Sequence, residues 1–321
     1  MSDVHAIILT FNEEQHIARC IQSLQGQCTS VTLIDSGSTD RTVEIARGLG
    51  AEVLVNPFVT HAAQVNFGIN ALVSRGGWLF RIDADEVLEP EPRRSLADHA
   101  ARSGQGTNGF VVSRRIYFLG RRIRWGGIEP NWQLRLWRNG KGRCEDRWMD
   151  EHVQVDGTVE HSGIVISDIN LNSVTWWTSK HNSYASREAI EILNDRHHFM
   201  PRHALWDGHL ATQATSRRFL KEEVYGRVPR GLRALLYLVY RYLFRLGFLD
   251  GLPGWYFHVL QGFWYRTLVD AKVSEIENRA RELNMPVAKA IHDRTGIDPL
   301  AVAHIPGNSD ANIGASVAGA D

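Results

Sequence analysis

Cysteine, excess charge of either sign and long apolar runs are what this sequence has little of. Its 321 residues carry 36 basic and 36 acidic side chains, a formal net charge of zero, with 43% apolar and 22% charged residues. Disordered chains pair low hydrophobicity with high net charge, and nucleic-acid binders carry a basic surplus against phosphate. Neither description fits, and no nucleic-acid partner is expected. Three cysteines, Cys20, Cys28 and Cys144, are an odd and sparse set that argues against a disulfide framework and for a reducing compartment. Residues 1–10, MSDVHAIILT, place no basic region ahead of their apolar run, unlike a secretory signal peptide, so a cytoplasmic location is expected. No stretch of 18 uncharged apolar residues exists. The best candidate, Leu246–Tyr265, holds Asp250, Pro253, His258 and four glycines, which disfavours a simple spanning helix. The phosphate-cradling G-x-x-x-x-G-K-[ST] and the dinucleotide G-x-G-x-x-G are missing, as are paired C-x-x-C and G-x-S-x-G. Any phosphate chemistry therefore falls to a metal.

What is present begins with alternation. Apolar runs at Val4–Thr10, Val31–Asp35, Glu52–Val55 and Trp78–Asp83 read as strands, and helical patterns near Glu13–Gln25, Thr39–Gly48 and Ala62–Ser74 separate them. This is the βαβ signature of a mostly parallel sheet, with Asn12 and Ser38 or Thr39 as expected N-caps. Past Phe110 the pattern turns irregular: a β-like run at Gly109–Phe118, another at Trp132–Trp137, and a turn at Arg138–Lys141 that favours a hairpin. A helix is predicted over about Ser173–Asn194. The tail beyond Pro306 is small and polar and reads as disordered.

Between Gln213 and Gly247 stand eight basic residues against Glu222 and Glu223. Arg230, Arg233, Arg241 and Arg245 recur at helical spacing among leucines and aromatics. Such a helix would lie in a membrane interface with its arginines toward anionic headgroups and a greasy face below; burial of the same helix against a partner or the first domain is the alternative.

Three acids sit at predicted strand ends, where open α/β sheets bind ligands. Asp35 opens DSGSTD, where it serves either a base or ribose contact or a turn and helix cap. Asp83 and Asp85, in RIDADE with Glu86 behind them, form a hard-oxygen pair suited to Mg²⁺ or Mn²⁺. Such an ion offsets the charge that builds on a departing diphosphate.

In order and spacing, ILTFNEE (Ile8–Glu14), IDSGSTDRT (Ile34–Thr42) and FRIDADE (Phe80–Glu86) resemble family 2 glycosyltransferases with the GT-A fold. NWQLRLWR (Asn131–Arg138), RWMDEHVQVDG (Arg147–Gly157), KHNSYASREA (Lys180–Ala189) and LGFLDGLPG (Leu246–Gly254) resemble the branch that includes lipopolysaccharide-core and exopolysaccharide transferases of the WaaE type. Together these segments cover residues 3 to 275. The resemblance implies a GT-A catalytic domain over 1–215, a Rossmann-like mixed sheet flanked by helices. The basic, apolar pattern that follows reads as amphipathic, membrane-associating helices over 216–275, then a helical extension over 276–305 and a disordered tail over 306–321.

The resemblance further implies a nucleotide diphosphate sugar donor, most commonly of uridine, with Thr10, Asn12, Glu13 and Asp35 around base and ribose. Asp83 and Asp85 would lie at the diphosphate and metal. Gln64 and Asn66 match positions facing the donor, surface amides being the alternative reading. Inversion needs one general base to take the acceptor hydroxyl proton. The branch's acid falls on Glu151, preferred over the adjacent Asp150, with His152 structural. Where relatives carry a possible further metal ligand this chain has Asp168, with His161 or His181 as rivals. Lys180 and His181 would face the sugar phosphate. Arg135 and Arg138 alternate with Trp132 and Trp137, a pattern for sugar and phosphate contact or simply for a half-buried strand. The Q-x-x-R-W of processive synthases is not matched, so one sugar per event is expected, passed to a lipid-linked saccharide. A nucleotidyltransferase or a non-catalytic nucleotide-sugar scaffold remains the alternative.

Overall fold

A computed structural model describes residues 2–90, 95–104, 106–145, 152–200, 229 and 231–300. The predicted strands form at β1 (Val4–Thr10), β2 (Ser30–Asp35), β3 (Glu52–Val55) and β4 (Trp78–Asp83), all parallel, in the order β3-β2-β1-β4. Helices α1 (Ile17–Ser23), α2 (Thr42–Gly48) and α3 (His61–Leu72) connect them. β1 reads as an almost unbroken apolar run because both its faces are covered. Ala6 and Ile8 pack with Ile17, Cys20 and Ile21 of α1. Ile7, from the alternate face, packs with Ala62, Val65 and Ile69 of α3.

Beyond β4 the sheet becomes mixed. β5 (Glu86–Leu88), β6 (Thr107–Phe118), β7 (Arg121–Ile123), β8 (Trp132–Arg138) and β11 (Thr158–Ile169) extend it in the order β4-β8-β6-β11-β5, with β7 beside β6. β8 runs antiparallel to both β4 and β6. The result is the helix-flanked, GT-A-like mixed sheet that the motifs imply. The hairpin expected at Arg138–Lys141 does not form. The turn itself closes, Lys141 N donating to the Arg138 carbonyl at 3.0 Å, but both edges of β8 are already paired. The next strand, β9 (Gly142–Cys144), therefore joins β10 (Val153–Val155) in a separate two-stranded sheet. The expected caps also change. His16 and Arg41 occupy the N-cap positions of α1 and α2 without a side-chain bond. Asn12 instead ties two strand-end loops, accepting from Thr39 N at 2.8 Å and donating its own N–H to Ser38 Oγ at 2.9 Å.

Helix α4 (Leu96–Arg102) lies between β5 and β6, and the helices that follow the sheet are α5 (Val174–His197), α6 (Leu232–Val239), α7 (Gly251–Phe257), α8 (Tyr265–Glu282) and α9 (Val287–Thr295). Ser173 caps α5 through Trp176 N. Ala189, Ile190 and Leu193 of α5 pack against Val273 and Ile276 of α8 and Ile291 of α9, so the helical extension belongs to the α5 core. The tail lies outside the described residues.

The arginine stripe is turned the other way from the expectation. Arg233 is 6% exposed and bidentate on Asp270 of α8, with Nε 2.8 Å from Oδ2 and Nη2 on Oδ1. Arg241 is 2% exposed and donates from Nε to the Gly126 carbonyl at 3.1 Å and from Nη1 to Gln261. The physical reason is Asp270, itself buried, which needs a countercharge inside the bundle. Arg245 is exposed, Nη1 standing 3.2 Å from the Tyr240 hydroxyl. Arg230 lies outside the described residues. What α6 and the turn after it present outward is leucine and phenylalanine.

Candidate active site

The site gathers at the C-terminal ends of β1, β2 and β4. Asp35 ends β2 at 1% exposure and holds the DSGS turn. Its Oδ1 accepts from Thr10 Oγ1 (3.0 Å) and Ser38 Oγ (2.6 Å), and its Oδ2 from Gly37 N (2.9 Å) and Ser38 N (2.8 Å). Gly37 sits at φ 89°, which glycine adopts freely. Four donors occupy this carboxylate, so here Asp35 holds the turn, the second of the two roles its position allows, with Thr10 as its support. Glu13 is likewise internal. Its Oε2 lies 2.7 Å from His16 Nδ1, while Leu171 N donates to His16 Nε2 at 2.9 Å. The second bond makes Nε2 the acceptor, places the ring proton on Nδ1 and makes Glu13 its recipient. The chain after β11 is thereby latched to the start of α1.

At the end of β4 the charges are shared. Asp83 lies between Arg135, at 3.1 Å (Nη2 to Oδ2) and 3.4 Å (Nη1 to Oδ1), and Arg81 at 3.4 Å. Burial alone would raise its pKa, but the Arg135 and Arg81 guanidiniums hold the carboxyl well below the usual range. Glu86, 0% exposed, is the hub. Its Oε2 accepts from Asp83 N at 2.9 Å, and its Oε1 accepts from Arg114 Nε at 2.6 Å and Arg135 Nη2 at 3.0 Å. Arg114 continues to Asp168 at 2.7 Å, which stands opposite Glu86 in the β11–β5 register. Burial pushes Asp168 up to about 7 against the pull of Arg114, with the carboxylates of Asp85, Glu86 and Asp83 adding to the rise.

Asp85, in the turn between β4 and β5, accepts from Asn170 Nδ2 at 3.0 Å rather than from an arginine. Its backbone carbonyl takes Ile169 N at 3.0 Å and Arg19 Nη2 at 3.1 Å. Lys180 of α5 stands 4.5 Å over the Trp176 ring. Burial works against its charge, yet Tyr184, Asp85 and Glu13 raise its pKa above the ordinary value. Lys180 thus feels the charge of Asp85 and Glu13. Among the described residues no three His, Cys, Asp or Glu side chains form a ready metal-ligand set. The hard oxygens of Asp83 and Asp85 suit a divalent cation in type, and among the described residues Asp85 is the one of the three expected ligands whose carboxylate is not bonded to an arginine.

Other expected contacts are elsewhere. His181 stacks on Trp177 at 3.4 Å between ring centroids, with Nδ1 2.9 Å from that residue's carbonyl. Burial pushes it down to about 4, so at neutral pH it offers phosphate no cation. Gln64 bonds Asn56 at both ends of its amide, and Asn66 does the same with the Cys144 backbone. These amides pin β3 and β9 rather than face a donor. Arg138 pairs in register with Trp78, at the opposite end of β4 from Asp83 and roughly 16 Å away at strand rise; its guanidinium lies 4.9 Å over the Trp78 ring and on Asn108. Trp132 meets His161 edge-on at 4.8 Å. Asp150 and Glu151 lie outside the described residues. Their flanks are joined, Glu145 N donating to the His152 carbonyl at 3.0 Å.

Arg114 and Asn170 complete the network without having been singled out for it, and Glu86, noted in sequence only behind the Asp83–Asp85 pair, is its centre. One signal was available: Arg114 follows Phe110 and Val112 on a core-facing register of β6, and a cation there requires buried acids.

The family model described as Glycosyl transferase family 2 matches residues 5–156, a little under half of the chain. Over 160 residues the chain is 34% identical to the lipopolysaccharide core biosynthesis glycosyltransferase LpsC of Rhizobium meliloti, an alignment covering 48% of this chain and 58% of that protein. It is 34% identical over 107 residues to the succinoglycan biosynthesis protein ExoA of the same organism, covering 30% of this chain and 32% of that one. The chain thus spans little more than half of the first relative and about a third of the second. Glucosyl-3-phosphoglycerate synthase from Mycobacterium tuberculosis aligns at 21% identity and a TM-score of 0.29, over 36% of this chain and 44% of that structure; a likeness of that size carries no argument about chemistry.

Proposed function

We propose that the protein moves a single sugar, with inversion, from a nucleotide diphosphate sugar, a UDP-sugar by preference, to a lipid-linked saccharide at the cytoplasmic face of a membrane, during lipopolysaccharide or exopolysaccharide assembly. The observation that carries this reading is the shared network at the end of β4, where Arg135 bonds both Asp83 and Glu86 beside Asp85 and Lys180. A diphosphate entering there meets cations whose present partners are held in common and can be exchanged. Asp83 and Asp85 would hold Mn²⁺ or Mg²⁺, which supplies charge neutralisation on the departing diphosphate. Glu151, with Asp150 beside it, takes the proton of the acceptor hydroxyl as the acceptor oxygen bonds the anomeric carbon and the bond from that carbon to the diphosphate breaks. The names of LpsC and ExoA support the polysaccharide setting. Among the described residues no helix is long and apolar enough to cross a membrane.

The test is a thermal-shift panel of UDP, GDP, dTDP and CMP, each with and without Mn²⁺, on the wild type and Asp85→Ala. Ligands that bind the native state raise its midpoint. A rise with one diphosphate that needs the metal and vanishes in Asp85→Ala supports the reading. Absence of any rise in the folded wild type sinks it.

A further inference from the structure

Twelve of the 22 large apolar side chains exposed among the described residues fall between Leu232 and Tyr256, so the exposed grease is one feature and not a scatter. Phe244 is 74% and Leu252 62% exposed, the two highest in that stretch. The ring of Tyr242 lies 5.0 Å from that of Trp255 and 6.3 Å from that of Phe248, which joins the turn after α6, the segment before α7 and α7 itself into one continuous ridge. Soluble proteins rarely leave such a patch open without a use. Arg233 and Arg241 do not serve it, since both staple the ridge to the body from behind. Arg241 holds the Gly126 carbonyl, Gly126 N donates to the Arg245 carbonyl at 2.8 Å, and Asp250 accepts from Arg124 N and Trp125 N.

From this we infer that the ridge is a monotopic membrane-docking face, whose Leu243, Phe244, Phe248 and Leu252 enter the acyl boundary of a bilayer while Trp255 and Tyr256 sit at headgroup level. The inference extends the proposed lipid-linked acceptor, but it stands on separate residues. The occupant is lipid for two reasons. The ridge mixes leucine and phenylalanine with tryptophan and tyrosine, the composition of an interfacial anchor. Arg245 on it is exposed, and the sequence ahead of it is basic, with Arg217, Arg218, Lys221, Arg227 and Arg230 against Glu222 and Glu223. That surplus complements anionic headgroups. Attachment therefore has a main apolar part and a smaller electrostatic part, the reverse of an arginine stripe lying on headgroups.

Co-sedimentation of the full chain with phosphatidylcholine vesicles and with phosphatidylcholine–phosphatidylglycerol vesicles, at low and high salt, separates the two parts. The expected result is pelleting with both vesicles, high salt removing only the extra binding to the anionic ones. The triple variant Leu243→Ser, Phe244→Ser, Leu252→Ser should partition at least ~10-fold less into both, since ~1.4 kcal/mol is lost per factor of ten and each side chain contributes on that order, with its melting and its nucleotide response unchanged. Pelleting that needs anionic lipid, or that survives the triple variant, overturns the inference. So does a wild type that stays in the supernatant, or one that is a dimer in solution and becomes monomeric on substitution, which assigns the ridge to a second copy. Loss of the nucleotide response with vesicle binding intact fails the proposed function and leaves the docking face standing.

Discussion

Arg135 at the end of β4 and Arg233 under α6 are both nearly buried, at 4% and 6% exposure, and their partners differ in a way that separates site from scaffold. Among the described residues Arg233 closes on Asp270 through Nε and Nη2. Arg135 divides its nitrogens among Asp83, Glu86 and Gln133, and Glu86 in turn serves Arg114 and the Asp83 backbone. A closed bidentate pair has nothing to offer a ligand, because opening it strands a buried charge. A shared network can lose one bond and keep the rest, so an incoming anion or cation re-partners it at less cost.

The largest effect expected from this contrast is at Arg233. Arg233→Met leaves Asp270 buried and unpaired and should lower stability by about 3–5 kcal/mol, read as a shift in the urea midpoint. Arg245→Met, on the exposed side, should stay within about 0.5 kcal/mol. Equal effects at the two positions would erase the distinction between inward and outward arginines.

A second effect, on the order of a few kcal/mol, is a pH dependence within the stapled region. His258 is 0% exposed and has neither ring nitrogen bonded among the described residues. Burial, with Arg241 adding repulsion, pushes it down to about 3; the other titratable group against it is the Tyr242 ring. The unfolded histidine protonates near its ordinary value of 6.5 and the folded one only near 3. Between those values the unfolded state binds the extra proton. This contribution is therefore complete above about 6.5 and is lost as pH falls toward 3. Urea midpoints measured across that window should fall less steeply in His258→Gln than in the wild type. Identical slopes would mean that this ring is not the buried neutral group described.

Why the inward arginines escaped a reading of the sequence is itself physical. Helical spacing says that Arg233, Arg241 and Arg245 share a side; it does not say whether that side meets water or protein, and the deciding residue, Asp270, lies 37 positions from Arg233. The first four strands were legible almost to the residue because parallel βαβ units write burial on both faces as continuous apolar runs. β8 was legible as a strand but not as a neighbour of β4, since that pairing is antiparallel and long in range. At the strand ends, Asp83 and Asp85 were legible as an acidic pair closing β4. The hub role of Glu86 was not, because it arises from Arg114 and Arg135 converging from two other strands.

That hub supplies a middle-sized prediction. Glu86→Gln keeps an acceptor for Asp83 N but removes the charge shared by Arg114 and Arg135, and should cost about 1–3 kcal/mol. It should also change the nucleotide response, because Arg135 then leans fully on Asp83. Asp85→Asn, which keeps the size of a group bonded to Asn170, should leave the melting point near that of the wild type and remove only the metal-dependent part. If Glu86→Gln destabilises without altering the nucleotide response, the network is scaffold and the contrast with Arg233 fails.

The smallest effect belongs to the arginine that shares a strand with Arg135 and points to other work. Arg138 sits over Trp78 at the far end of β4, bonded to Asn108 at 3.1 Å. Arg138→Ala removes one cation–π contact and two partly exposed hydrogen bonds from the guanidinium, to Asn108 and Ser103, together about 1–2 kcal/mol. Because that end of the sheet lies a full strand length from Asp83, the nucleotide-dependent shift in melting should match the wild type at every concentration tested. Arg135→Ala should abolish it. Two arginines three residues apart on one strand, one silent and one essential in the same assay, would localise the binding edge of the sheet more sharply than either variant alone, whereas a weakened response in Arg138→Ala would extend the site across the whole strand.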